Sequence, residues 1–199
     1  MTEWMGAVEW LAAALGVVNI ALLVRRSVWN YVFGMAMVVL YGFVFWNQRL
    51  YAEAGLQAFF FVAQGWGWWL WLRSLGDASG KAKAVPVRWL DPMSRVVWTV
   101  ATLAIALNLG LVLTRFTNAS MPYADAAIAG ASVTAQILLA FRRIENWLVW
   151  IVVDVAAVAL YINRGLYPTA ALYSVLLVMS AIGLREWMRA ARGREGALA

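Results

Sequence analysis

The sequence predicts an all-α integral membrane protein with seven transmembrane helices, arranged 3+1+3 as two parallel three-helix repeats around one linking helix. Three observations predict it: the composition, the spacing of the apolar stretches, and an internal similarity at a constant offset. Hydrophobic residues make up 64% of the 199 residues and charged residues 13%, against about 45–50% and about 25% in soluble domains. A soluble globule of this size cannot bury so much apolar surface, whereas lipid hydrocarbon can solvate it.

Seven apolar stretches are each long enough to cross a bilayer, which needs about 20 helical residues. Short polar breaks separate most of them, while a longer connector at 74–94 is rich in turn-forming residues. Part of this connector, residues 85–90, is expected to lie along the membrane interface. No basic residue precedes Arg25, so we interpret the first stretch as a permanent helix and not as a cleaved signal peptide. The seven stretches lie at 6–24, 29–47, 52–72, 95–114, 122–141, 145–163 and 167–188.

The basic residues predict the orientation of the chain. With seven spans, thirteen of the 16 Lys and Arg residues fall in loops on one side, and Arg49, Arg115 and Arg164 fall on the other. Because positive loops stay in the cytoplasm, the C-terminus is predicted to be cytoplasmic and the N-terminus outside. This topology accounts for the net charge of +6, and no basic stretch interleaved with aromatic residues indicates a nucleic-acid partner.

An internal repeat appears when the chain is shifted by 116 residues without a gap. The general resemblance between apolar helices explains why leucine aligns with leucine. It does not explain a shared Leu-Tyr pair and a shared Gly-x-x-x-Trp-x-Arg pattern. The shift aligns Leu50-Tyr51 with Leu166-Tyr167, and Gly67, Trp71 and Arg73 with Gly183, Trp187 and Arg189.

The repeat divides the chain into four predicted parts. Residues 1–73 form the first three-helix repeat, 74–94 a cytoplasmic connector, 95–114 the linking helix, and 122–189 the second repeat. Because three is an odd number, the linking helix lets the second repeat enter the membrane in the same direction as the first. Parallel repeats of this kind occur in transporters, where the substrate site is expected near the bilayer midplane between the repeats.

The densest group of polar and aromatic residues inside a span lies at 145–163. Trp147, Trp150 and Asp154 are spaced i, i+3 and i+7 on one helix face, and Asn146 lies four residues before Trp150. A carboxylate near the bilayer centre costs about 2.5–3.5 kcal/mol or more when it is unpaired. Asp154 therefore either faces a functional cavity or is hydrogen-bonded to a neighbouring helix for packing.

Other polar residues inside spans join this group as candidate substrate-binding residues, although their ordinary role is hydrogen bonding between helices. Amides, one carboxylate and aromatic faces together suit a planar, polar and cationic ligand. The other members are Gln57 with its repeat counterpart Tyr173, Gln136 and Asn30.

Several of the thirteen tryptophans lie at predicted helix ends, where indole rings commonly anchor a helix at the membrane interface. Trp10, Trp71, Trp89 and Trp187 are expected to be such anchors. The sequence contains no cysteine and no histidine, which argues against thiol chemistry and the common zinc sites. No nucleotide-binding or hydrolase motif is present either, so we expect neither an enzyme nor a metal or cofactor.

Several motifs resemble those of the PnuC family of vitamin transporters. They are residues 134–150 followed by Asp154, Trp29-Asn30-Tyr31 with Gly34, Leu50-Tyr51, and Gly183-x-Arg185-Glu186-Trp187. The most specific part is Trp-x-x-Trp at 147–150, within Glu-Asn-Trp-x-x-Trp, and the likeness runs from about Glu9 to Arg189.

The resemblance implies facilitated diffusion of nicotinamide riboside across the bacterial inner membrane, followed by trapping through a cytoplasmic kinase. It also implies a homotrimer with a fold like that of the sugar-transporting SWEET proteins. By motif match, Trp147, Trp150, Asn146 and Gln136 are expected to line the substrate site. The same mechanism with thiamine or riboflavin is one alternative function, and a non-transporting membrane assembly protein is another.

Overall fold

The computed structural model describes residues 3–47, 51–76, 85–117, 121–163 and 167–195. These residues form seven helices, which confirms the predicted all-helical chain and places most helix ends within about three residues of the predicted ones. The last helix continues seven residues beyond its predicted end. The helices are α1 (Glu3–Val24), α2 (Asn30–Asn47), α3 (Tyr51–Gly76), α4 (Pro92–Phe116), α5 (Pro122–Ala140), α6 (Glu145–Asn163) and α7 (Tyr167–Glu195).

Three helical segments in the described residues are long and apolar enough to cross a membrane: Pro92–Phe116, Pro122–Ala140 and Ala170–Gly193. Two more, Trp10–Val24 and Asn30–Val44, are apolar but shorter. The chain is therefore a multi-pass membrane protein, and seven spans remain a prediction.

The helices pack as two compact units. In the first, Met1–Pro86 with Ala140–Arg142, helix α2 packs against both α1 and α3. In the second, Val87–Leu139 with Arg143–Ala199, α6 packs against α7. Helix α4 joins α5 through the hydroxyl groups of Thr102 and Thr134, which lie 2.8 Å apart. The linking helix thus packs with the second unit, and the four-part division drawn from the sequence stays a prediction.

Local backbone geometry recurs at positions 116 residues apart. Arg26 and Arg142 both have a positive φ, 57° and 59°, which for a non-glycine residue is uncommon. Asn30 and Asn146 each donate a side-chain hydrogen bond to the carbonyl oxygen three residues earlier, at 2.6 Å in both cases. The turns that lead into α2 and α6 are therefore built in the same way.

Aromatic packing recurs at the same offset. The rings of Tyr31 and Trp71 meet edge to face at 5.2 Å and 88°, and those of Trp147 and Trp187 meet at 5.5 Å and 89°. The glycine four residues before each second tryptophan leaves room for the first ring. Trp71 and Trp187 are fully buried, so their expected role as interface anchors was wrong, whereas Trp10 is 80% exposed.

The end of the connector, which the sequence predicts along the membrane interface, buries three of its apolar side chains in the protein. Val85, Val87 and Leu90 are buried. The backbone N–H of Val85 donates to the carbonyl oxygen of Arg26 at 3.3 Å. Val85 therefore forms a hydrogen bond to the turn that follows α1, and the segment then leads into α4.

Helix α4 begins where its sequence signals indicate. Asp91 precedes Pro92, and its carboxylate accepts hydrogen bonds from the backbone N–H of Ser94 at 2.9 Å and from its hydroxyl at 2.6 Å. These bonds hold the pKa of the Asp91 carboxyl below its ordinary value. An N-cap aspartate followed by proline satisfies the free N–H groups of the first turn.

Candidate substrate-binding site

The first turn of α6 carries two buried polar side chains with hydrogen-bonding atoms to spare. Asn146 uses its Nδ2 on the carbonyl oxygen of Arg143, and its Oδ1 has no partner among the described residues. Trp147 is buried with its six-membered ring against Gly183 of α7. Its Nε1, on the pyrrole side of the indole, also has no partner among the described residues.

Gln136 adds a third such atom from α5. It is 7% exposed, and its Nε2 has no hydrogen-bond partner among the described residues. Leaving a buried polar group unpaired costs about 1–3 kcal/mol, and native structures rarely do so unless a ligand or water takes the bond. The three unpaired atoms therefore make Gln136, Asn146 and Trp147 the candidate binding residues of α5 and α6.

Asp154 lies two turns further along α6 and is 2% exposed. The hydroxyl of Ser180 on α7 donates to its Oδ2 at 3.0 Å, and both groups are buried. This contact matches the packing interpretation of Asp154, because it joins two adjacent helices. It engages one carboxylate oxygen.

The two motif tryptophans differ in the ring surface that they offer. Trp147 is 1% exposed, and the edge of Trp187 covers its ring at 5.5 Å. Trp150, one turn further on, is half-buried. Trp150 is therefore the better surface for a flat ligand to stack on, and Trp147 is better suited to donate through Nε1.

The other sequence-predicted residues show weaker signs of a site. Asn30 is buried, but its Nδ2 is already bonded to the carbonyl oxygen of Ser27 at 2.6 Å. Gln57 on α3 and Tyr173 on α7 are half-buried. A pocket that combines residues of both predicted repeats stays a prediction.

Sequence reasoning missed the role of Glu145, the first residue of α6. Its carboxylate is 8% exposed and accepts the backbone N–H of Leu90 at 3.0 and 3.1 Å through its two oxygens. The Nε of Arg95 on α4 donates to Oε1 at 2.9 Å. An acidic first turn is a visible signal because it complements the helix dipole. No pattern, however, points to partners 50 and 55 residues earlier in the chain.

Glu145 stands directly before Asn146 and Trp147, so it fixes the start of α6 beside the candidate site. The neighbouring loop is basic. Burial lowers the pKa of the Arg143 guanidinium, and the nearby charge of Arg88 lowers it further.

A surface groove elsewhere in the described residues is open and apolar. It is lined by Met35, Ala36, Val39, Leu40 and Phe61, none of which is a candidate substrate residue. An apolar groove on a membrane protein needs no ligand other than lipid, so it does not compete with the site on α5 and α6.

Comparison with known proteins gives a consistent result over nearly the whole chain. The family model described as "Nicotinamide mononucleotide transporter" matches residues 6–189. The nicotinamide riboside transporter PnuC of Escherichia coli (strain K12) is 30% identical, over 96% of this chain and 88% of that protein. The riboflavin/roseoflavin transporter RibM of Streptomyces davaonensis is 28% identical, over 87% of this chain and 80% of that protein.

A solved structure is also similar. The crystal structure of the vitamin B3 transporter PnuC superposes with a TM-score of 0.76, covering 96% of this chain and 83% of that one. The two sequences are 23% identical, so this likeness establishes the fold.

Proposed function

We propose that this chain, which belongs to the nicotinamide mononucleotide transporter family, the PnuC family, carries nicotinamide riboside across the bacterial inner membrane by facilitated diffusion. Membership of a transporter family supports transport over a purely structural role in the membrane. The choice of nicotinamide riboside follows the relatives that are named as its transporters.

One observation carries the substrate proposal: the three buried, unpaired polar atoms on α5 and α6. Gln136 Nε2 and Trp147 Nε1 are donors and Asn146 Oδ1 is an acceptor. Nicotinamide riboside has a carboxamide, which donates and accepts, and ribose hydroxyls, which do both. The substrate thus supplies the partners that these atoms lack.

The cationic ring of the substrate also has a partner in the same unit. Its pyridinium is flat and positively charged, and such a ring is attracted to the face of an indole. Trp150, which is half-buried, offers that face. Asp154, one turn further on, offsets the positive charge or accepts a ribose hydroxyl through the carboxylate oxygen that Ser180 does not engage.

The transport mechanism follows from the predicted 3+1+3 arrangement. Two parallel three-helix repeats rock to expose the site alternately to each side, with the N-terminus outside and the C-terminus in the cytoplasm. The matching turns and ring pairs 116 residues apart support the repeat, and the thirteen-to-three split of basic residues supports the orientation. The resemblance to the PnuC family also implies that the chain assembles as a homotrimer. Light scattering of the purified protein tests this by measuring the mass of the assembly.

Ligand binding tests the substrate. Purified protein is titrated with nicotinamide riboside, riboflavin and thiamine while tryptophan fluorescence is recorded. We expect nicotinamide riboside to quench the signal and to resist displacement by the other two. Asn146→Leu, which removes an unpaired acceptor, should weaken binding about 3- to 10-fold. Failure of all three vitamins to bind would remove the basis for a vitamin transporter.

Uptake into proteoliposomes tests the transport mode. Facilitated diffusion brings labelled nicotinamide riboside to the outside concentration and no further, with or without a pH gradient. Because the substrate is a cation, the membrane potential is held at zero in this assay. Accumulation above the outside level would then show an energy-coupled carrier and reject facilitated diffusion.

Riboflavin is the second candidate substrate because one relative, of which this chain covers 80%, is named for riboflavin and roseoflavin. The isoalloxazine ring is larger than a pyridinium and carries no positive charge. A preference for riboflavin in the competition series would therefore also argue against a charge-offsetting role of Asp154.

A further inference from the structure

Within its unit, helix α4 packs against α5 through one face. The hydroxyl groups of Thr102 and Thr134 pair at 2.8 Å, and a Cβ at Gly130 of α5 would lie 3.2 Å from the backbone N of Ala106. Only 6% of the membrane-spanning stretch of α4 is buried, against 44% of that of α5. The faces of α4 that are turned away from α5 are therefore exposed.

Asn108 lies on this exposed side of α4. At about 100° per residue it is turned about 200° from Ala106, which packs against α5. It stands eight residues before Phe116, the last residue of the helix, which is about 12 Å along the axis. Because α4 is long and apolar enough to cross a membrane, this depth lies inside the hydrocarbon layer.

The amide of Asn108 is only partly satisfied by its own helix. Its Nδ2 donates to the carbonyl oxygen of Ala104, four residues earlier, at 2.8 Å. The second N–H of Nδ2 and the Oδ1 atom have no partner in the part of the chain that the structure describes. Lipid hydrocarbon supplies neither a donor nor an acceptor, so turning these two groups toward lipid is unfavourable.

Two other exposed asparagines show why Asn108 is different. Asn47 and Asn163 form the same bond to the carbonyl oxygen four residues earlier, at 2.8 and 3.0 Å. They are, however, the last residues of α2 and α6, where headgroups and water can satisfy the remaining atoms. Among the described residues, Asn108 is the one exposed amide side chain in the interior of a helix. It therefore needs a partner that lies outside the chain and within the hydrocarbon layer.

A second copy of the same chain meets this need. Copies that insert in the same orientation place Asn108 at the same depth. Each amide has one donor and one acceptor left, so copies around a rotation axis can close a ring in which every amide donates to the next. Ala101 and Ala104 lie on the same face as Asn108 and are small enough to let two helices approach closely.

We propose that the face of α4 around Asn108 is the contact between copies of this chain, where the free N–H and oxygen of Asn108 bond to the same residue of neighbouring copies. The proposal rests on the homotrimer of the proposed function, to which it adds the contact surface and the residue that specifies it. Since Asn108 is not among the candidate substrate-binding residues, assembly and ligand binding are tested separately.

The mass of the assembly tests the role of the amide. Asn108→Leu keeps a side chain of similar size and removes the polar group. The dissociation constant of the assembly, from light scattering over a dilution series in detergent, should rise about 3- to 30-fold for each hydrogen bond lost. The matched control is Asn163→Leu, which removes an asparagine with the same local bond and should assemble like the wild type. Equal dissociation constants for the two variants would overturn the proposal.

The wild type separates this contact from the assembly on which it rests. A wild type that is monomeric at every concentration overturns both the homotrimer and the contact, and leaves the transport proposal to the ligand titration. A wild type that assembles no more tightly than Asn108→Leu overturns the contact alone. A dimeric wild type that Asn108→Leu dissociates rejects the homotrimer and supports the contact.

Ligand binding shows whether Asn108 acts on assembly or on the substrate. Nicotinamide riboside should bind Asn108→Leu and the wild type with affinities within about twofold of each other. A loss of affinity without a loss of mass would place Asn108 in the substrate site and overturn the proposal.

Cysteine crosslinking tests the same contact with Asn108 in place. The chain has no cysteine, so in proteoliposomes of purified protein a single introduced thiol can bond only to another copy. Ala104 lies about 40° from Asn108 around the helix, whereas Leu103 is 65% exposed but about 140° away. Oxidation should therefore give a covalent dimer for Ala104→Cys and leave Leu103→Cys as a monomer. Equal yields of dimer, or a higher yield from Leu103→Cys, would show that this face does not join the copies.

Discussion

Gly183→Ala adds a single methyl group next to Trp147. We expect this small substitution to displace the Trp147 indole and so to disturb the candidate site. A Cβ at Gly183 would lie 2.5 Å from Cη2 and Cζ2 of the Trp147 indole, and 2.6 Å from Cζ3. Protein side chains essentially never approach closer than 3.0 Å in this way, and ordinary contact begins at 3.4 Å. Gly183→Ala therefore has to move either the indole or α7 by about 0.9 Å.

The surroundings leave little room for that movement. Trp147 is 1% exposed, and the edge of Trp187 packs against its ring at 5.5 Å. Forcing a methyl group into a well-packed region costs about 1–3 kcal/mol. In a chain of about this size each kcal/mol lowers the unfolding midpoint by about 2–4 °C, so overpacking should lower it by about 2–12 °C. Displacing Nε1 should also weaken ligand binding about 3- to 10-fold.

The assay is thermal unfolding of the purified protein, followed by a nicotinamide riboside titration on the same samples. Gly65→Ala is the matched control, because Gly65 lies within α3 and a Cβ there meets nothing within 4 Å. Replacing an interior helical glycine by alanine favours the helix by about 0.5–1 kcal/mol. The control should therefore unfold at or slightly above the wild-type temperature, and the difference between the two variants measures the overpacking.

Equal unfolding midpoints and equal affinities for the two variants would refute this reasoning. Such a result would mean that the indole moves without cost and that its position does not affect the ligand. Trp147 would then be neither tightly packed nor part of the site.

Two further predictions concern the start of α6 and the half-buried ring of Trp150. Glu145→Ala leaves the buried N–H of Leu90 unpaired and should lower the free energy of unfolding by about 1–3 kcal/mol. Arg95→Ala should lower it by less than about 1 kcal/mol because the Arg95 side chain is 50% exposed; equal losses would show that the ion pair, and not the N–H bond, holds the loop. In fluorescence titrations Trp150→Ala should lose affinity about tenfold or more, while Trp89→Ala, whose ring packs on Arg95 at 5.5 Å, should change it less than about twofold. Similar losses in both tryptophan variants would contradict the stacking assignment.

Helix positions were predictable from the sequence because each apolar stretch has to be long enough for the bilayer. The predicted limits of 145–163 coincide with α6, and 122–141 exceeds α5 by one residue. The end of α7 was predicted too early, at 188 instead of Glu195. Hydropathy falls where Arg189 and Arg192 begin, but the helix continues through them because arginine is a good helix former.

Burial inside the bundle was less predictable than helix position. Trp71 and Trp187 lie near the ends of their helices, where the sequence favours an interface role, yet both are fully buried against a neighbouring aromatic ring. A pattern along one helix cannot reveal the ring of another helix. The hydrogen bonds between the Leu90 N–H and the Glu145 carboxylate were missed for the same reason, because the two residues are 55 positions apart.

Comparing residues 116 positions apart distinguishes the packing features that both halves share from the positions at which the halves differ. The positive-φ turns and the paired rings over glycine occur at both corresponding places, and both are features of packing. Another pair of positions at this offset differs in residue type. Gly34 lies against the amide of Gln64 in the first unit, and the residue 116 positions later is Trp150. The shared features therefore belong to packing, while the indole of Trp150 is present in the second half alone. The sequence places that ring next to the buried polar residues of α6, and this is why the proposed function assigns the stacking surface to the second half.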